Sequence, residues 1–173
     1  MKKMVIVLVV LFVIALVVLI IICNNSRRVV PFLKQYTIYY GDSPQKIQSK
    51  VQGEFISKGH LSYANQTVYK YNMSVLGNDA VVSFFFLNNT NLYEVDITYD
   101  SLDDKQIKAL FNKSKEIIDE ELKDDINYYC DNIEYTNEHE YYLSLGLNTG
   151  AIGISYMIKV KDNQLTITCI RNE

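Results

Sequence analysis

Histidine, cysteine and tryptophan are scarce in this sequence, and their scarcity removes several kinds of chemistry. The 173 residues include two histidines, three cysteines and no tryptophan. Structural zinc sites use four closely spaced cysteine or histidine ligands, whereas Cys130 and His139 stand nine positions apart with no other cysteine or histidine near them. No catalytic signature surrounds either histidine or either of Cys130 and Cys169. We therefore predict no bound metal, no cofactor and no thiol catalysis.

Acidic residues are frequent, yet none of their clusters matches a known site. Asp100, Asp103 and Asp104 form one cluster, and it lacks the alternating ligands and central glycine of an EF-hand loop. A pair of carboxylates could serve glycoside hydrolysis, but the sequence does not distinguish such a pair from a solvated acidic surface. We predict that the chain is not an enzyme. An extracytoplasmic hydrolase with a carboxylate or Ser/Thr site stays open as an alternative.

Positive charge is scarce once the N-terminal segment is left aside. Residues 29–173 hold 13 Lys and Arg against 20 Asp and Glu, a net charge of −7. Nucleic acids attract proteins with positive surfaces, because binding neutralises phosphate charge. We therefore predict that no nucleic acid is a partner of this protein.

A long uncharged run dominates the N-terminus. Residues 4–22 consist only of Val, Ile, Leu, Met, Phe and Ala, and at about 1.5 Å per residue a helix of this length crosses a bilayer core. A cleavable signal peptide has a shorter apolar region followed by small residues, which this run lacks. We predict an uncleaved membrane anchor within residues 1–28. Lipidation of Cys23 is an alternative, although Ile22 stands where a small residue is expected.

The charges that flank the run indicate its orientation. Lys2 and Lys3 precede it, and Arg27 and Arg28 follow it. A short basic head before an apolar run is typical of an export signal, so we predict a cytoplasmic N-terminus. The chain would then be a single-pass protein of the cell membrane with an extracytoplasmic C-terminal domain.

The rest of the chain alternates short strands with two helices. We predict a short stalk over residues 29–35 and one α+β domain over residues 36–173, with an antiparallel sheet of about six to eight strands. Period-two alternation and turn residues predict the strands, which are placed at 35–40, around Leu61, and at 67–75, 80–87, 92–99, 138–147, 151–160 and 164–171. In the strand at 92–99, the residues expected to point inward are Tyr93, Val95, Ile97 and Tyr99, and those expected outward are Glu94, Asp96 and Thr98.

Capping residues predict where the two helices begin. Ser43 and Pro44 suit the N-cap and the first position of a helix that ends near Gly53. A capping box over residues 101–104 starts the second helix, which should run to about Lys123. Residues 124–137 are predicted to be irregular.

The two halves of this region share a pattern. Val95 and Ile97 are matched by Ile167 and Cys169, seventy-two positions later. An internal α-βββ repeat would explain this match, and two unrelated antiparallel meanders with the same alternation are the alternative. Cys169 is expected on the inward side of the last strand. Because an exported domain can meet oxidising conditions, Cys130 and Cys169 could form a disulfide that spans 38 intervening residues. Two reduced thiols are the alternative.

A helix that opens with Gly41, Ser43 and Ile47, followed by hairpins near residues 81–87 and 92–99, resembles small bacterial envelope domains of the helix-plus-meander type. Examples are outer-membrane assembly lipoproteins and the β-lactamase-inhibitor protein, in which the unit is repeated in tandem. The resemblance covers about residues 36–171. It implies protein binding in the envelope rather than catalysis, and it identifies no functional residue.

These observations together predict a membrane-anchored extracytoplasmic domain that binds a protein or an envelope component. The membrane is contacted through the N-terminal helix, and the protein partner is not identified by the sequence. An accessory subunit of a membrane complex is the remaining alternative.

Overall fold

The computed structural model describes residues 12–15, 28–61, 65–123, 128–130, 134–137, 140–147 and 153–172. They form an α+β fold with an antiparallel sheet, which confirms the predicted class. The helices are a 3-10 helix at Pro31–Tyr36, α1 at Pro44–Lys50 and α2 at Asp104–Leu122. The strands are β1 Glu54–Leu61, β2 Gln66–Val75, β3 Asn78–Leu87, β4 Asn91–Tyr99, β5 Tyr128–Cys130, β6 Glu134–Asn137, β7 Glu140–Leu147, β8 Gly153–Lys161 and β9 Gln164–Asn172.

Within the described residues the sheet has nine strands, more than the six to eight predicted. Its order is β1-β2-β3-β4-β9-β8-β7-β5, and β6 pairs with β7 beside β5. The two additional strands, β5 and β6, arise in the segment predicted to be irregular, because β7 supplies backbone partners for both of them. The last strands of the two halves, β4 and β9, pair with each other at the centre of the sheet.

Both α-helices pack on one face of the sheet and form the core with it. Ile47 of α1 and Ile118 of α2 join the same buried cluster as Tyr71 of β2, Phe84 of β3 and Ile97 of β4. A fully buried side chain of this size contributes about 1.5–3 kcal/mol relative to an exposed one. The strands predicted at residues 67–75 and 80–87 are present as β2 and β3.

Local hydrogen bonds place the helix starts close to where the sequence predicts them. Ser43 is the N-cap of α1, and its Oγ accepts from the backbone N–H of Lys46 at 3.4 Å. The cap of α2 is Asp103, whose Oδ1 accepts from the backbone N–H of Gln106 at 2.8 Å, while the Gln106 amide oxygen accepts from the Asp103 N–H at 2.9 Å. This reciprocal box satisfies two donors that a helix N-terminus leaves free.

The strand predicted at residues 35–40 is wrong. Pro31 begins a 3-10 helix, and Thr37 leaves it in a left-handed conformation with a φ of 50°. In this region only an isolated bridge forms, between Val29 and Tyr39. Residues 29–35 also pack into the domain rather than forming a stalk, since Phe32 and Leu33 are buried.

One inward position in β4 also differs from the prediction. Leu92 is buried, and Tyr93 is only partly buried. A bulge at Phe85 and Phe86 shifts the register between β3 and β4 by one residue. Such a shift exchanges the faces of the residues beyond it, so Leu92 and Val95 point inward together.

The predicted membrane anchor falls almost entirely outside the described residues. Residues 12–15 are described and form one helical turn. In the described parts of the chain, no helix is long and apolar enough to cross a bilayer.

Candidate functional site

The face of the sheet opposite to α1 and α2, called here the outer face, carries a row of polar residues on four neighbouring strands. The register pairs Lys70 of β2 with Ser83 of β3, Ser83 with Asp96 of β4, and Asp96 with Thr168 of β9. Directly paired residues in an antiparallel sheet project to the same side. The four side chains therefore cross the outer face in one line.

A groove of about 480 Å³ opens on this face. Residues of β1, β2, β3 and β4 all line it. The walls combine charged, hydroxyl and apolar side chains. The lining residues are Ser57, Lys58, Gly59, Leu61, Val68, Lys70, Ser83, Phe85, Asp96 and Thr98.

Two carboxylates, Glu94 and Asp96, stand next to each other on the outer face. They are two positions apart in β4 and both are partly buried, so their side chains project to the same side. The pKa of Glu94 is raised to about 7, mainly by burial and also by the nearby Asp96, while a hydrogen bond with Tyr93 opposes the rise. Glu94 thus exchanges its proton near neutral pH.

The pKa of Asp96 is raised as well, and its surroundings differ from those of Glu94. Burial raises its pKa, but a hydrogen bond from Thr168 and the positive charge of Lys70 oppose this rise. The Thr168 Oγ1 donates to the Asp96 Oδ1 at 2.6 Å. The pair therefore combines two partly buried carboxyls whose pKa values are both raised, and at Asp96 a hydroxyl donor and a nearby ammonium group oppose the rise.

The two carboxyl groups of Glu94 and Asp96 are suited to contact with a cationic or hydrogen-bonding group. Among the described residues, no three carboxylate, cysteine or histidine side chains come together as metal ligands. A partner that brings an ammonium or guanidinium group to Asp96 would compensate the buried charge, because charge-assisted hydrogen bonds are the strong ones.

Cys130 and Cys169 lie in one row of the sheet but far from each other. The register pairs Cys130 with Leu145, Leu145 with Tyr156, and Tyr156 with Cys169. Three strand spacings of about 4.8 Å separate the two cysteine Cα atoms by roughly 14 Å, about twice the reach of a disulfide. Cys169 is a free thiol, and burial raises its pKa well above the ordinary value. A bridge between Cys130 and Cys169, one of the two alternatives that the sequence leaves open, would require another strand order.

We expect both of these cysteines to be thiols in the folded protein. Alkylation of the unfolded, non-reduced chain followed by mass spectrometry should therefore modify both Cys130 and Cys169. Cys169 should react only after denaturation, because it is fully buried and a thiolate is needed for the reaction. A peptide pair linked through Cys130 and Cys169 would contradict the strand order given above.

The sequence predicted the outward direction of Glu94, Asp96 and Thr98, but it did not single them out. Nothing in the strand pattern showed that Thr168, seventy-two positions later, contacts Asp96. The available signal was two carboxylates spaced by two in a strand of otherwise apolar and β-branched residues. Comparisons of this chain with protein-family models, with curated proteins and with solved structures gave no match.

Proposed function

We propose that this chain is a membrane-anchored binding module that contacts a protein or an envelope component through its outer face. The observation that supports this role is the partly buried pair of Glu94 and Asp96 on the face opposite to both α-helices. Burying carboxylates without an opposite charge in contact is costly to folding. A partner that supplies a cationic group would offset this unfavourable free energy when it binds.

A tandem duplication, which we also propose, strengthens this argument. In each half a helix precedes an antiparallel meander, and the meanders meet where β4 pairs with β9. With the spacing of seventy-two residues, Thr166 corresponds to Glu94 and Thr168 to Asp96. The fold accommodates neutral side chains at both equivalent positions, so it does not itself require the carboxylates.

The proposed location follows from the apolar run at residues 4–22 and from where the domain starts. Val30 is fully buried, so only a short connection separates the core from the proposed anchor. The domain would lie close to the outer surface of the cell membrane. A reporter that is active only outside the cytoplasm, fused to the C-terminus, should be active in whole cells. Activity of a cytoplasm-specific reporter in the same position would contradict this topology.

The binding role is tested with a photo-reactive amino acid at Thr98, on the outer face, and at Asn112, exposed on α2. We expect a specific crosslink in intact cells from position 98 and none from position 112. The crosslinked partner, once purified, should bind the Glu94→Gln variant about tenfold more weakly, a loss of about 1.4 kcal/mol. Glu116→Gln on α2 is the matched control and should bind as the wild type does. Equal crosslinking at both positions, or equal affinity of the Glu94 variant, would contradict the proposal.

A hydrolase is the second candidate, and the pKa of Glu94 near 7 favours it. A protonated carboxyl beside an ionised one is the arrangement of a general acid with a nucleophile or base. This role predicts turnover of a glycoside or peptide substrate with a pH profile that falls above about 7. Glu94→Gln should abolish that turnover while Glu116→Gln preserves it.

A further inference from the structure

We propose that the groove on the outer face binds a small free zwitterion, a molecule with an ammonium group and an anionic group joined by a short apolar chain. The ammonium group would lie at Asp96, the anionic group at Lys70, and one hydrogen bond would reach Ser83. This inference rests on the proposed role of the outer face as a binding surface, and it specifies the chemistry of the ligand.

The Ser83 hydroxyl is the first indication of a ligand. Ser83 is 7% exposed and lines the groove, and no described side chain or backbone group forms a hydrogen bond with its hydroxyl. Because the groove is open, this hydroxyl is available to a ligand that accepts or donates a hydrogen bond there.

The charges at the two ends of the groove are the second indication. Lys70 and Asp96 stand on either side of Ser83 in the register, so about two strand spacings, roughly 10 Å, separate their Cα atoms. No ion pair joins these two side chains in the described structure. Thr168 occupies Oδ1 of Asp96, and the other carboxylate oxygen is left for an incoming N–H group.

The apolar wall explains why the two charged groups should belong to one molecule. Val68 and Phe85 are paired neighbours on β2 and β3, and both line the groove. They offer a surface to the methylene groups that join the ends of a zwitterion. A simple cation would be repelled by Lys70, and a simple anion would be repelled by Asp96. A ligand of both signs complements these two groups together.

Calorimetric titration of the full chain in a mild detergent tests the proposal. The probes are glycine, 4-aminobutanoate and 6-aminohexanoate, with butylamine and butanoate as half-ligands. We expect one of the longer zwitterions to bind about tenfold more tightly than either half-ligand. Equal binding of the half-ligands, or no binding of any zwitterion, would overturn the proposal. Binding to phosphatidylethanolamine vesicles without binding of a free zwitterion would also overturn it, because the ligand would then be a lipid headgroup.

Variants separate this inference from the proposed function. Lys70→Met and Ser83→Ala should each weaken zwitterion binding about tenfold, while Lys105→Met, which removes a comparable charge from α2, should not. Glu94 does not line the groove, and its substitution tests partner binding independently. If Glu94→Gln weakens partner binding but the Lys70 and Ser83 variants bind the zwitterion as the wild type does, the zwitterion site is wrong and the binding module stands.

Discussion

Replacement of Asp42 by alanine should lower the free energy of unfolding by about 3 kcal/mol. Asp42 is 1% exposed, and its Oδ2 lies 2.7 Å from the Nζ of Lys50 and accepts from the backbone N–H of Tyr39 at 3.1 Å. The same Lys50 ammonium donates to the carbonyl oxygen of Thr37 at 2.6 Å. The side chain thus joins the segment before α1 to the end of α1, and its removal leaves a partly buried ammonium without its anion.

Urea unfolding of the full chain measures this loss. Asp42→Asn keeps an acceptor for the Tyr39 N–H but not the charge, so it should be destabilised less than Asp42→Ala. The matched control is Glu120→Ala, which breaks an exposed pair between Glu120 of α2 and Lys123 just after the helix and should cost less than about 1 kcal/mol. If the Asp42 and Glu120 variants lose the same stability, the ion pair with Lys50 does not hold this end of the domain together.

Replacement of Glu94 by glutamine should stabilise the domain above neutral pH and leave it unchanged in acid. Burial raises the pKa of Glu94 to about 7 in the folded state, from 4.5. The folded state therefore binds a proton more tightly than the unfolded state does, and the stability from that proton is lost as the pH rises from about 4.5 through 7. Glutamine stays neutral and avoids this loss. Because Glu94 is only partly buried, we expect a gain of about 1–2 kcal/mol at pH 8.

Thermal or urea unfolding at several pH values tests this prediction. The difference in free energy of unfolding between the variant and the wild type should be close to zero below pH 4.5 and should level off above pH 7. Glu116→Gln on the exposed side of α2 should give a curve parallel to that of the wild type. A stabilisation that does not change with pH would show that lost charge at Glu94 is not its cause.

The same result would connect stability with function. A carboxylate that weakens the fold, at a position whose proposed equivalent in the second half is Thr166, is best explained by a role in binding. If Glu94→Gln gains stability but loses the crosslinked partner, the two effects arise from one charge. Residues that destabilise the fold are common at binding sites, because a charged group positioned for a partner lacks its opposite charge in the free protein.

The sequence by itself determined the strands and helix starts that depend on residues close together in the chain. Alternation over residues 67–75 predicted the strand β2, because successive strand residues point to opposite faces. The cap before α2 was predicted within two residues, because its hydrogen bonds join Asp103 and Gln106, only three positions apart. The outward direction of Asp96 followed from the same alternation.

Only the tertiary structure decided the features that depend on distant residues. The pairing of β4 with β9 brings Thr168 to Asp96, and no local pattern encodes which strands meet across seventy-two positions. The bulge that turned Leu92 inward depends on the register with β3, and the 3-10 helix at Pro31–Tyr36 depends on the core that receives Phe32. Local hydrogen bonds and side-chain alternation are fixed by neighbours in the chain, whereas strand order, partial burial of a carboxylate and the shape of a groove come from packing between segments far apart in sequence.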